Sequence, residues 1–334
     1  MYLDYYGLSE FPFQLTPDHR FFFESATHRK AMANLIFGLN QSEGFIVITG
    51  EVGAGKTTLL GRLLDELDPE AFVANKIVST HLQGDDMLRS VASAFAVPYQ
   101  NLDKVSLLNG IEDFLVACHH QGKRVLLLVD EAQNVTPQGL EELRMLSNFQ
   151  VANKVPLQSV LLAQPQFRRT LASSDLEQFR QRIIASYHLG ALTSNETRDY
   201  IKHRLTVVGW SGNPDFLDEA FEDIHRLTSG IPRKINTFCT RLMLFCFLDE
   251  MTVVDRNVVK AVADDLVQEA GQLAPQGRRT SGGVMLASQP LEDDIPGEGD
   301  VSRRIRRLER MVDKHNRALH YLASFAELAG EGFE

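Results

Sequence analysis

Phe45-Ile46-Val47-Ile48-Thr49-Gly50-Glu51-Val52-Gly53-Ala54-Gly55-Lys56-Thr57-Thr58 runs from an unbroken apolar stretch through a glycine-rich turn into a helical pattern that begins at Leu59. A short apolar run rich in β-branched residues predicts a buried strand. The turn carries the spacing Gly-x-x-x-x-Gly-Lys-Thr, which in a strand-to-helix context predicts a phosphate-binding loop. Glycines let the backbone curl so that successive N–H groups converge on phosphates, the helix start adds the positive end of its dipole, and Lys56 supplies a mobile charge. The Thr57 hydroxyl is the expected ligand of Mg²⁺. Residues Gly50 to Thr58 are therefore read as the cradle of a nucleoside triphosphate.

A second stretch completes that reading. Arg124-Val-Leu-Leu-Leu-Val-Asp130-Glu131 is an apolar strand whose carboxyl end delivers two acidic residues. Asp130 is expected to hold Mg²⁺ through water, and Glu131 to orient and deprotonate the attacking water. At the end of the next apolar run, Leu161-Leu162-Ala163-Gln164-Pro165 places a polar side chain where it can sense the γ-phosphate, so Gln164 joins the candidates. Arg180 and Arg182, in Leu176-Glu-Gln-Phe-Arg180-Gln-Arg182-Ile183, are read either as an arginine finger for a neighbouring subunit's γ-phosphate or as surface salt-bridging residues. Ser229-Gly230-Ile231-Pro232-Arg233 joins a breaker, a helix-starting proline and a cation. A cation at a helix start opposes the dipole, which favours a specific anionic partner for Arg233.

The 334 residues carry a net charge of −10, which weighs against a protein that coats nucleic acid globally. Cys118, Cys239 and Cys246 sit in hydrophobic surroundings without Cys-x-x-Cys spacing, so they are expected to be buried thiols of a reducing compartment. The opening Met1-Tyr-Leu-Asp-Tyr-Tyr-Gly lacks signal-peptide regions, and no stretch approaches eighteen uninterrupted apolar residues. The expectation is a cytoplasmic protein without a membrane span.

Five apolar runs, at 45–49, 75–81, 124–130, 157–163 and 184–189, alternate with helical patterns, the rhythm of a parallel sheet covered by helices. A helix is predicted over 26–39. From Thr193 the alternation stops, and 196–208, 215–227, 233–248 and 256–270 read as amphipathic helices of an all-helical unit. The expected organisation is an aromatic segment and helix at 1–40, a nucleotide-binding core at 41–190, a helical lid at 191–270, a disordered linker at 271–302 and an amphipathic helix at 303–334. In that last segment Ile305, Leu308, Val312, His315, Leu319, Leu322 and Ala326 alternate at spacings of three and four, as in a coiled-coil seam or an amphipathic helix folded back on the body.

With these residues in place the chain resembles the AAA+ ATPases, and within them the general secretion pathway A-type family. Beyond the two acidic and phosphate-loop motifs, the resemblance rests on Tyr6-Gly7-Leu8, Pro12-Phe13, Pro17-Asp18, His28, Gln164-Pro165, Arg180-Gln181-Arg182-Ile183, Glu196-Thr197, Tyr200-Ile201, His203-Arg204-Leu205 and Gly230 to Asn236. It covers about residues 1–270. It implies an α/β P-loop fold with a parallel five-stranded sheet of order 5-1-4-3-2, a helical lid, and ATP with Mg²⁺ as the ligands. It also implies a sensor at Gln164, a finger at Arg182 or Arg180, a second sensor at Arg233, and self-association as a ring or filament. Many relatives continue into a transmembrane helix and a peptidoglycan-binding domain; the chain looks more like the subgroup encoded with exosortase and exopolysaccharide loci. That likeness implies an ATPase acting as motor or scaffold for secretion or exopolysaccharide export, peripheral at the inner membrane through a partner bound by the C-terminal helix. Transposition-regulator ATPases, which bind DNA, share the same core signatures, and Arg303, Arg304, Arg306, Arg307 and Arg310 keep that alternative open. A nucleotide-gated assembly switch with little turnover is the third reading, disfavoured by Glu131.

Overall fold

The computed structural model describes residues 2–16, 18–78 and 84–273. Five strands, β1 (Phe45–Gly50), β2 (Phe72–Val78), β3 (Arg124–Asp130), β4 (Leu157–Ala163) and β5 (Ile183–Leu189), form one sheet in the order β2-β3-β4-β1-β5. Every pairing in it is parallel. Read from the other edge this is 5-1-4-3-2, the order that the family resemblance implies. The second strand begins at Phe72 rather than at residue 75, in register with Arg124. Residues 79–81 of the expected run lie outside the described residues.

The helices, in chain order, are α1 (Tyr2–Tyr6), α2 (Ala26–Gln41), α3 (Lys56–Glu66), α4 (Gly84–Ala94), α5 (Lys104–His120), α6 (Pro137–Leu146), α7 (Phe167–Leu171) and α8 (Glu177–Arg180). They are followed by α9 (Ser194–Val207), α10 (Asp218–Thr228), α11 (Pro232–Leu248) and α12 (Arg256–Leu273). Side chains alternate across each strand, so one set of sheet residues meets one layer of helices and the next set meets the other. Ile46, Ile48, Leu126, Leu128, Val160 and Leu162 pack with Ala31, Leu35 and Leu39 of α2 and Leu59, Leu60 and Leu63 of α3. Phe45, Val47, Val125, Leu127 and Leu161 face the opposite layer, where Phe179 of α8 stacks on Phe45 at 4.2 Å between ring centroids. Burial on both faces explains why β1, β3 and β4 read as near-continuous apolar runs.

The segment after β5 departs from the all-helical expectation. Asp215–Phe216 and Val253–Val254 pair as short parallel strands, β6 and β7, so the helix predicted from 215 starts at Asp218 instead. Phe216 is buried against Phe221, and the acidic pair Asp218 and Glu219 takes the first turn of α10, where negative charge suits the dipole. Helix α12 continues to Leu273, three residues into the stretch expected as linker. The rest of that linker, the seam from Ile305 to Ala326, the tail arginines and Pro17 lie outside the described residues.

The aromatic lead-in belongs to this helical part of the molecule. Tyr2, Tyr6, Leu8, Phe13 and Phe21 share one buried cluster with Tyr200, Ile201, Leu205, Phe238, Cys239 and Leu242. The Tyr6 hydroxyl donates to the Met251 carbonyl at 2.8 Å, and the Ser9 N–H donates to the Val208 carbonyl at 2.9 Å. Two chain crossings, before α2 and before α9, join this cluster to the sheet. Glu196 pins both: its carboxylate accepts the Ala26 N–H at 2.8 Å and the Thr193 N–H at 3.0 Å, while Thr193 and Glu196 form a capping box. Burial pushes the Glu196 carboxyl up, but the hydrogen bonds from Thr193 and Ala26 outweigh it and hold the group below its ordinary value. Replacing Glu196 with Ala removes caps from two helices at once and should lower stability by about 1–2 kcal/mol, read as a shifted urea midpoint with an unchanged slope.

Candidate functional site

The phosphate loop leaves the carboxyl end of β1 and turns through Gly53 at φ +83° and Gly55 at φ +98° into α3. Both positions lie in the left-handed region, and both are also crowded. A Cβ on Gly53 would stand 2.3 Å from the Arg233 Cβ, and one on Gly55 would stand 2.7 Å from His28 Nε2. Ala54 is buried beneath the loop, whereas Val52 is half exposed at its mouth. Lys56, the first residue of α3, is buried, and its Nζ donates to the carbonyls of Gly50 at 2.7 Å and Glu51 at 3.0 Å. Burial lowers the Lys56 pKa, and the carboxylates of Glu131, Asp130 and Glu51 oppose that shift.

The end of β3 lies beside the loop, as the sequence suggests. Thr57 Oγ1 donates to Asp130 Oδ2 at 3.1 Å, joining the two expected metal ligands. The same oxygen lies 2.7 Å from Lys76 Nζ on β2, a contact that the sequence reading did not foresee. Asp130 Oδ1 accepts the Glu131 N–H at 3.0 Å, which turns Glu131 into a left-handed backbone at φ 54°. Gln164, at the tip of β4, donates from Nε2 to Glu131 Oε2 at 3.2 Å. Gln133 donates to that same oxygen, and its own Oε1 accepts the Gln164 N–H at 3.0 Å. Two amides thus fix the carboxylate, and Gln133 is a site residue that the sequence reading missed. The signal was there: an amide two residues after the acidic pair, at a strand end, can fold back on it.

Arg233 comes from the opposite wall. Its N–H donates to the Gly53 carbonyl at 3.2 Å, and Pro232 opens α11 so that this contact falls on the first turn. The Arg233 side chain is exposed to the cleft. The cleft has a volume of about 290 Å³; loop residues Gly53, Lys56, Thr57 and Thr58 line one end, with Glu131 beside them. Gln14, Leu15, Phe22, Phe23, Tyr200 and Asn236 line the other. Residues 12–16 and 21–23 form a strap across this apolar end. Arg204 of α9 holds the strap, donating to the carbonyls of Pro12 at 3.1 Å and Gln14 at 3.0 Å while its guanidinium lies over the Phe21 ring.

Arg180 and Arg182 lie elsewhere. The Arg182 carbonyl accepts the Phe45 N–H at 2.9 Å, which puts it where β1 begins, the full length of a strand from the loop, roughly 17 Å. Arg182 donates to the Ser147 carbonyl at 3.2 Å, and Arg180, which is exposed, to the Leu171 carbonyl at 2.9 Å. Neither enters the cleft of its own chain.

The residues present suit a nucleotide and a hard cation. The glycines and Lys56 make an anion cradle, and a hydroxyl beside a carboxylate is an oxygen donor pair of the kind Mg²⁺ takes. That Lys76 already points an ammonium at Asp130 Oδ2 shows this oxygen placed to face positive charge. Residues 39–171 match the AAA domain family. Over 248 residues the chain is 40% identical to general secretion pathway protein A of Aeromonas hydrophila. The match takes in 74% of this chain and 45% of that protein, so the chain spans less than half the length of its curated relative. Among solved structures, Cdc6p from Pyrobaculum aerophilum superimposes with a TM-score of 0.58 at 14% identity, covering 76% of this chain and 70% of that one. The Aeropyrum pernix ORC2 protein in its ADPNP–ADP complexes gives 0.56 at 16% identity, covering 74% and 72%. At these identities the likeness concerns the fold alone. Among the described residues no helix is long and apolar enough to cross a membrane.

Proposed function

We propose that this protein is a Mg²⁺-dependent ATPase that serves as a motor or scaffold for a secretion or exopolysaccharide-export system, at the cytoplasmic face of the inner membrane through a partner. The observation that carries the hydrolytic part is the Glu131 carboxylate, held by Gln133 and Gln164 next to the Thr57–Asp130 pair. In this reading residues 41–190 are the nucleotide-binding core and 191–270 its lid. Lys56 and the loop N–H groups of residues 50–58 bind the phosphates, and Thr57 and Asp130 hold Mg²⁺, which neutralises phosphate charge when bound. Glu131 takes the proton of the attacking water. Gln164 donates to Glu131 from the tip of β4 and, in this reading, reports the γ-phosphate to the base. Arg233 closes over the phosphates from the lid, where its guanidinium has room to move.

Since Arg180 and Arg182 lie at the far end of the sheet, either acts as a finger only on another copy of the chain, which supports assembly as a ring or filament. Between the two, the exposed Arg180 is the freer to reach across. The export role is supported by the 40% identity to general secretion pathway protein A, with the exopolysaccharide-locus assignment resting on resemblance. The experiment is twofold. Purified protein should release phosphate from ATP with Mg²⁺ and lose at least tenfold of that rate in excess EDTA. Its association with inner-membrane vesicles should rise with ATP; equal sedimentation with and without nucleotide would remove the export reading. An ATP-dependent, salt-sensitive shift of duplex DNA would replace it with the DNA-handling one.

A further inference from the structure

His28 carries part of the family resemblance, yet none of the roles above uses it. It stands in the first turn of α2, 5% exposed, with Ser25 as the N-cap. Ser25 Oγ accepts the His28 N–H at 3.2 Å and lies 2.8 Å from Thr27 Oγ1 and 2.7 Å from His28 Nδ1. A hydroxyl has one proton to give and two lone pairs to fill. When the Thr27 hydroxyl donates to Ser25 as the His28 N–H does, the serine proton goes to Nδ1 and the ring proton resides on Nε2, the arrangement used below.

Nε2 makes no hydrogen bond among the described residues. It faces Gly55, where a Cβ would come within 2.7 Å of it, and the ring lines the cleft. The Phe22 ring packs edge-on at 5.8 Å on its other side. His28 therefore sits where the strap meets the phosphate loop, between the apolar end of the cleft and the anion cradle. Burial keeps the imidazole uncharged by lowering its pKa to about 4, against a smaller opposing pull from Glu196. The nitrogen opens into the cleft, so an acceptor that enters there can take its hydrogen bond.

We propose that His28 is a nucleotide-binding residue that donates from Nε2 to the sugar–phosphate segment of a nucleoside triphosphate spanning the cleft from loop to strap. This rests on the ATP-binding reading given above. A nucleotide anchored by the loop and reaching the apolar end must pass this nitrogen with its sugar and first phosphate, which are rich in oxygen acceptors. The side-chain-free position at Gly55 is what leaves the nitrogen open to the cleft.

Two substitutions separate a donor from a packing group. His28→Gln keeps an N–H near the Nε2 position and loses the ring; His28→Phe keeps the ring and loses the N–H. Binding of a non-hydrolysable ATP analogue, followed by calorimetry, should weaken about tenfold in His28→Phe and less than about threefold in His28→Gln. Thermal melts without nucleotide establish that both variants are folded. The opposite order, or equal weakening in both, overturns the donor role and leaves His28 a packing residue beside the loop. If the wild-type protein fails to bind the analogue at all, the ATP-binding reading falls with it, whereas wild-type binding with the reversed order sinks only the part given to His28.

Discussion

Glu131→Gln protein should bind ATP as tightly as the parent and release phosphate at least a hundredfold more slowly. General-base catalysis contributes about 10²–10⁴ in rate, and an amide cannot accept the proton of the attacking water. The substitution is nearly isosteric, and the two amides that hold Glu131 each have an oxygen or an N–H to offer the new side chain. Ground-state binding is thus preserved while turnover is lost. Lys56→Ala should do the reverse, losing nucleotide affinity first, because Lys56 Nζ is the buried cation at the loop. Single-turnover phosphate release and equilibrium titration with ATP measure the two quantities separately. Full turnover by Glu131→Gln would show that another group activates the water.

Arg204→Met should destabilise the protein by about 3 kcal/mol. The guanidinium satisfies the buried Pro12 carbonyl and shares the Gln14 carbonyl with Asn236 Nδ2, and a buried acceptor left without a partner costs about 1–3 kcal/mol. It also lies over the rings of Phe21 and Tyr200 at 5.0 and 5.4 Å, contacts that the thioether replaces only in part. Denaturant unfolding monitored by circular dichroism reads the loss. Because the strap lines the cleft, the variant should also bind ATP more weakly than it binds inorganic triphosphate, relative to the parent. A change below about 0.5 kcal/mol would mean that the aromatic side chains and the bonds from Asn236 and Thr240 hold the strap without Arg204.

What could be read in the sequence and what could not divide along a physical line. The phosphate loop, Asp130-Glu131 and the apolar strands are local patterns, since a strand-to-helix turn and a doubly buried strand each write themselves into consecutive residues. Gln164 was legible because a strand tip next to Pro165 fixes its place. The strap was not. For Phe13 and Phe21 the sequence leaves base packing and core filling equally open, because the partners that bury them, Tyr200, Phe238 and Leu242, are some 180 or more positions away in the chain. The same distance hides Arg204, which looks like any helix arginine until its carbonyl partners arrive. The short β6–β7 pair was lost for a similar reason: two residues per strand carry no period, and acidic Asp218 and Glu219 merge smoothly with the pattern before them. Lys76 and Gln133 depended on register across the sheet and on a side chain folding back, neither of which spacing alone reveals.

The bond from the Tyr6 hydroxyl to the Met251 carbonyl joins residues 245 positions apart, and Tyr5 reaches Glu250 over the same interval. During synthesis Tyr5 and Tyr6 therefore wait for another 245 residues of chain before they find their place. Meanwhile the sheet, whose strands are complete by Leu189, can form without them. The nascent protein should consequently own a finished phosphate loop well before it owns the wall against which a nucleoside rests. Any nucleotide held at that stage would be gripped by its phosphates alone, so the order of translation itself separates the affinity of the loop from the selectivity of the finished cleft.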